Sequence, residues 1–406
     1  MRIGLLGCDS RMVEVVRAAV RRGDRVVVAS GIPPGGLAGI DLPQSRSWDP
    51  LLDAAVCDVV FVGADGWDES RAEAVRTLVQ AGRPLLLAQP LELSMLWAYE
   101  LDMIRSDTGG LLVPCLPDRL HPFMARLEAT IAASLAGVGE TGPAESLLLE
   151  RRMQDRSREA VLAQLARDAD LIRGLTGDPS RLSTLGAANP DTAWNTLAVG
   201  FTGPTHLPVR WQVAPGVPPG LTIRLQTATA TTSIDCPDDS SRPWTWSGQG
   251  AASTLETGAF DRGAAMLGVL DRCRTGTADR DDGIAAATWA DAARAIELAE
   301  TVPRSLVKGR AVDLHREEFT EMGTFRGTMA SLGCGLIMAA LLVVVVATLV
   351  AGIAREFGWK AAGTLADSWP VIVLAVLGLF LVLQLLPLIV GAGREQRSPS
   401  RSDAPP

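Results

Sequence analysis

The stretch "AGRPLLLAQPLELS", residues 81–94, decides the fold. Gly82 closes the helix-patterned run "DESRAEAVRTLVQAG", and Leu85 to Leu87 then read as a short, fully buried strand. That strand stops at Ala88-Gln89-Pro90, and a new helix starts at Ser94. Outward in both directions the alternation continues. "RIGLLGC", "DRVVVAS", "DVVFVGA" and "GLLVPCL" read as strands. "RMVEVVRAAVRRG", a short "DPLLDAAVC" and "LSMLWAYELDMIRSDTG" read as helices. Strands alternating with helices predict βαβ units and a doubly wound parallel sheet, whose ligands bind at the carboxyl ends of the strands. Gln89 lies at one such end.

After about residue 120 the pattern changes. The helices "FMARLEATIAASLAG" and "REAVLAQLARDADLIRGLTG" flank the strand "AESLLLERRM". The strand-like runs "RLSTLGA", "AWNTLAVGF", "PVRWQVA", "LTIRLQTA" and "ATTSIDC" then follow one another, which predicts a mostly antiparallel open sheet. Helices are expected around 261–274 and 283–302. Trp194, Trp211, Trp244 and Trp246 fall in this sheet region and are expected in its core or on an oligomer surface.

Of 406 residues, Lys and Arg number 38 and Asp and Glu 46, a net charge of −8 that argues against a nucleic-acid partner. The six cysteines form no C-x-x-C pair, the three histidines are far apart, and no metal site is expected. The C-terminal part differs from the rest. From Gly327 to Ala354, and again from Ser368 to Gly393, no residue is charged. Each run exceeds the roughly 20 residues that cross a bilayer core. Arg and Lys cluster before the first and after the second, so both termini and the soluble domains are expected in the cytoplasm of a bacterial inner membrane. The expected organisation is a Rossmann-like domain (1–120), a second domain (121–314), a linker (315–328), two spans (329–353 and 369–392) joined by a short external loop (354–368), and a polar tail (393–406).

Four segments in order resemble the Gfo/Idh/MocA oxidoreductases. "RIGLLGCDS" stands at their Gly-rich turn, and "EAVRTLVQAGRPLLLAQPLELS" at their helix, Gly, strand and Glu-Lys-Pro. "ARDADLIRGLTGD" stands at their His-x-x-Asp helix, and "RSLVKGRAVDL" at their closing segment. The resemblance covers roughly residues 1–314. It implies hydride transfer between NAD or NADP and a sugar-like hydroxyl, in a homo-oligomer. It also implies a lysine near the reacting hydroxyl and a histidine that moves the proton.

The chain departs from that pattern at four places. Gln89 takes the lysine position, and an amide does not titrate. Arg167 takes the histidine position, with Asp170 at the trailing aspartate; a one-residue shift would bring Ala166 or Asp168 there instead. In the turn Gly7 is kept, but Asp9 replaces the second glycine and puts a negative charge where pyrophosphate would sit. Asp9 and Ser10 are both good N-caps, so a side chain could satisfy the amides that a phosphate would otherwise meet. At the end of the second strand Ser30 replaces the usual acidic residue, and the nearest downstream basic residue is Arg46. Arg119 and His121, in "PDRLHP", match the family's substrate region. Two functions remain open: a membrane-anchored oxidoreductase, or a non-catalytic sugar- or nucleotide-binding module coupled to a membrane partner.

Overall fold

The computed structural model describes residues 1–314 except 34–36, 38, 41, 140, 187–188, 190–191, 250–253 and 277–284, together with Val346 and Leu349. Met1–His315 form one compact unit. Apart from those two residues, both expected spans lie outside the described residues, as do the linker, loop and tail around them. Among the described residues no helix is long and apolar enough to cross a membrane.

The N-terminal half runs β1 (Arg2–Leu6), α1 (Ser10–Arg22), β2 (Arg25–Ser30), β3 (Gln44–Ser45), β4 (Val59–Val62), α2 (Glu69–Gln80), β5 (Leu85–Ala88), α3 (Met95–Thr108) and β6 (Leu112–Cys115). The strands form one parallel sheet in the order β3-β2-β1-β4-β5-β6. Val59 to Val62 and Leu85 to Leu87 are wholly buried, as a parallel sheet covered on both faces requires. Each buried Leu contributes about 1.5–3 kcal/mol relative to an exposed one. "DPLLDAAVC" forms only a 3-10 turn, Asp49–Leu52, where a helix is expected. The Asp53 carboxylate accepts the Ala55 N–H at 2.7 Å and turns the chain out of helical geometry.

The second half runs α4 (Pro122–Leu135), β7 (Ala144–Met153), α5 (Arg158–Thr176), β8 (Arg181–Leu185), β9 (Ala198–Thr202), β10 (Val209–Pro215), β11 (Gly220–Thr227), β12 (Thr231–Pro237), β13 (Trp244–Gln249), β14 (Thr254–Gly258), α6 (Arg262–Thr275), α7 (Trp289–Lys308) and β15 (Val312–Asp313). Its sheet has the order β14-β13-β12-β11-β7-β10-β9-β8-β15. All its pairings are antiparallel except β7 with β10. The four tryptophans of this region are buried. β13 and β14 are additional to the sequence reading. α7 begins at Trp289, later than expected, because Thr288 and Asp291 make a reciprocal capping box.

The two halves are stitched together. Met266, Leu267 and Leu270 of α6, with Trp289, Ala292 and Ile296 of α7, belong to the core of the parallel sheet. Ala295, Leu298, Ala299 and Val302 of the same α7 belong to the core of the second sheet. The Trp289 indole N–H donates to the Ala98 carbonyl at 2.9 Å, fastening α7 to α3.

Candidate ligand cleft

The carboxyl ends of β1, β4 and β5 meet at one place. After β1 the chain turns through Gly7, whose φ of +68° few side chains tolerate. Its N–H donates to the Ser30 carbonyl at 2.8 Å, so the turn is tied to the end of β2. Asp9 follows as the N-cap of α1. One carboxylate oxygen accepts the N–H groups of Arg11 and Met12, each at 3.0 Å. The other accepts the N–H of Ala64, just past β4, at 2.8 Å. Three amides at the mouth of the parallel sheet therefore point at one side chain. Ser10 begins α1 and is exposed.

Ser30 is buried at the end of β2. The arginine that reaches this strand end is Arg71 of α2. It donates to the Gly31 carbonyl at 2.7 Å and to the Asp65 carbonyl. The nearest downstream basic residue in the sequence is Arg46; the one whose hydrogen bond reaches this strand end, Arg71, lies 40 residues from its acceptor Gly31.

Gln89 is 4% exposed, and its peptide bond to Pro90 is cis. Its amide donates to the Ala292 carbonyl of α7 at 3.1 Å, and its own carbonyl accepts Arg167 Nε at 2.8 Å. A cavity of about 160 Å³ is lined by Asp9, Ser10, Ala64, Asp65, Gln89 and Arg167, among others. The structure thus brings Asp9, Ser10, Gln89 and Arg167 to one cavity.

Asp168 is not a polar surface residue but the centre of a buried cluster. Along β7, Leu147, Leu149 and Arg151 face inward at alternate positions, so an arginine sits at a core register. Arg151 donates to both Asp168 oxygens, and the Trp211 indole N–H and the Gln164 amide donate to the same carboxylate at 2.8 and 3.2 Å. Four N–H groups thus hold the Asp168 carboxylate. Arg151 also meets Asp238 at 2.8 Å. Nearby, Asp118 accepts from Arg262 at 2.8 Å and lies 3.3 Å from Arg11. Burial opposes ionisation of Asp118, but Arg11, Arg262 and Arg151 outweigh it and hold the carboxyl at about 2.

Arg119 and Asp170 form a buried pair at 2.8 Å. Burial pushes Asp170 upward while Arg119 pulls it down, and the net direction is up. His121 is 1% exposed and lines none of the cleft cavities. It caps α4, accepting the Phe123 N–H at 3.0 Å, and stacks on Trp244 with ring centres 4.1 Å apart. Burial pushes its pKa down to about 4. The substrate role expected from the "PDRLHP" match thus meets, at His121, a ring enclosed in the aromatic core.

No family model matches the chain, and no curated protein matches it. Solved structures do. A Desulfitobacterium hafniense protein described as an NADPH-dependent oxidoreductase is 13% identical over 77% of this chain and 96% of its own, with a TM-score of 0.63. The aldose-aldose oxidoreductase of Caulobacter crescentus is 13% identical, covering 77% and 99%, with a TM-score of 0.61. A UDP-N-acetylglucosamine 3-dehydrogenase of Acidithiobacillus ferrooxidans is 18% identical, covering 75% and 97%, with a TM-score of 0.58. Other structures in this set hold NAD+, NADP+ or NADH. The neighbours are Gfo/Idh/MocA-type oxidoreductases, and the chain has their fold.

Proposed function

We propose that this chain is a ligand-binding member of the Gfo/Idh/MocA fold that has given up hydride transfer. One observation carries the reading: the Asp9 carboxylate takes the amides of Arg11, Met12 and Ala64. In a dinucleotide-binding fold such amides meet pyrophosphate. Here their donor capacity is used internally, and the side chain adds a negative charge where the ligand's own would lie. The residues present do not fit the cofactor. Gln89 supports the same reading, because its amide is spent on Ala292 and holds no proton to exchange. We further propose that the apolar runs 329–353 and 369–392 hold the module at a bilayer, with both termini cytoplasmic. Their charge-free length and the flanking arginines support this.

Calorimetric titration of the detergent-solubilised full chain with NAD(H) and NADP(H) tests the reading. The expected result is no binding at millimolar cofactor. A Kd of about 100 μM or tighter, roughly −5.5 kcal/mol, overturns it. In that event a second reading leads, that of an NADP-dependent oxidoreductase acting on a sugar-like molecule. Arg71 beside the buried end of β2 favours it, since a cation there suits a 2′-phosphate.

A further inference from the structure

Four arginines line the cavities of the cleft, and of these all but one face a carboxylate. Arg11 faces Asp118 at 3.3 Å, Arg119 faces Asp170 at 2.8 Å, and Arg152 faces Asp235 at 2.7 Å. The fourth, Arg167, has no carboxylate within 4.0 Å among the described residues. Its Nε donates to the Gln89 carbonyl at 2.8 Å and its Nη1 to the Gln164 side-chain oxygen at 2.9 Å, both neutral acceptors. Three of the five N–H bonds of a guanidinium remain, including both on Nη2. A half-buried cation without a counter-ion is costly, and the fold supplies charge partners to the other three arginines of these cavities. Burial and then the charge of Arg11 depress Arg167 to about 10, the direction expected of a cation that lacks its anion.

Arg167 lines an open cavity of about 370 Å³, together with Arg152, Gln154, Asp155, Ala163, Gln164 and Asp238; the Asp155 carboxylate is exposed at the rim and accepts the Ser157 N–H at 2.9 Å. That volume is within the range of small-molecule sites. We propose that this cavity binds a small hydroxylated carboxylate, with Arg167 as the counter-ion of the carboxylate and the side chains of the rim as partners for hydroxyls. The inference deepens the reading above and rests on it only in taking the cleft as a ligand site.

A single unpaired cation selects the class. A phosphate dianion or a pyrophosphate needs more positive charge or a nest of amides. Here the amides at the start of α1 already belong to Asp9, and Arg152 already has Asp235. A carboxylate carries one charge and matches the planar fork of a guanidinium. Asp238 on the cavity wall is itself bound to Arg151, so its charge is balanced and it can accept from a ligand hydroxyl.

The test is calorimetric titration of the detergent-solubilised full chain with D-gluconate, with D-glucitol and inorganic phosphate as comparisons. Gluconate is expected to bind saturably, at least about tenfold more tightly than glucitol or phosphate. Arg167→Gln is expected to weaken gluconate about tenfold or more and to leave any glucitol binding unchanged. Ala163→Phe puts a ring into the cavity on the same helix, one turn from Arg167, and keeps the groups that Arg167 bonds. It is expected to abolish binding, and it carries the test if the Arg167 variant does not fold. Absence of gluconate binding at about 10 mM overturns the proposal. So do equal affinity for glucitol, tighter binding of phosphate, or unchanged affinity in a folded Arg167→Gln or Ala163→Phe protein. NADPH titrated into the same preparation separates the two readings. NADPH binding alongside gluconate binding overturns the loss of hydride transfer and leaves the carboxylate site standing. If neither binds, only the carboxylate site falls.

Discussion

Replacing Asp9 by Ala removes a carboxylate that accepts two N–H groups from α1 and one from Ala64. Loss of an N-cap costs about 0.5–2 kcal/mol. The third bond joins the start of α1 to the end of β4, and one bond to a charged acceptor contributes about 1.5–3 kcal/mol when water cannot replace it. Asp9 is half-buried, so water recovers part of this, and the expected destabilisation is about 2–3 kcal/mol. For a folded unit of this size, at about 2.1 cal/mol/K per residue, the thermal midpoint should fall by about 3–5 °C, followed by tryptophan fluorescence. The same variant frees three amides and removes a negative charge, so it should gain affinity for a dinucleotide. With NADP+ at about ten times the Kd of the variant, the expected ligand stabilisation is about 1.4 kcal/mol. The native chain should show none. An Asp9→Ala protein that melts with the native one refutes the capping account. An equal shift by NADP+ in both proteins refutes the claim that Asp9 occupies the phosphate seat.

Other residues give equally direct tests. His121, held at about 4, is a base whose folded pKa lies below its unfolded value near 6.5, so the unfolded chain takes up the proton first. Its contribution is fully present above pH 6.5 and is lost as pH falls from there to 4, roughly 3 kcal/mol in all. His121→Phe keeps the ring against Trp244 and should flatten this part of the melting-temperature profile between pH 7.5 and 4.5; parallel profiles would contradict the assignment. A methyl group at Gly263 would lie 2.5 Å from the Glu14 carbonyl oxygen and 2.7 Å from the Ala18 side chain. Gly263→Ala should therefore force α6 off α1 and lower the urea midpoint by the equivalent of about 1–3 kcal/mol; an unshifted midpoint would show that the helices do not pack this closely. Cys8, Cys57, Cys115 and Cys236 are buried, and burial pushes Cys8 and Cys115 up to about 12. Iodoacetamide at pH 8 should modify exposed Cys273 and spare these four until the chain is unfolded, as peptide mass spectrometry would record.

The parallel sheet was legible because its strands are continuous apolar runs and its helices carry a clean apolar stripe. Asp9 was legible as a cap for a related reason: its partners Arg11 and Met12 are local in sequence. The charge cluster was not. Arg262 and Asp118 are 144 residues apart, and Arg151 and Asp238 are 87 apart. Nothing in a one-dimensional pattern distinguishes an arginine at a core register from one on a solvated face. Arg151 follows Leu147 and Leu149 at the same alternation, and that was its only local signal. β13 was half visible in the spacing of Trp244 and Trp246. Ser247 and Gly248 then dilute the strand pattern, and its pairing with β12 and β14 decides the outcome.

The return of α6 and α7 into the first core also sets a timetable for synthesis. The last strand of the parallel sheet is complete at Cys115, yet Ile296 is needed to close the apolar surface beside it. A ribosome must add about 180 residues in between, roughly 10–40 s of elongation. Throughout that interval any parallel sheet the nascent chain forms has an unroofed flank. The heritable module is therefore the whole of residues 1–314: a gene fusion or truncation that keeps only the first 120 would deliver a sheet permanently missing its last two helices.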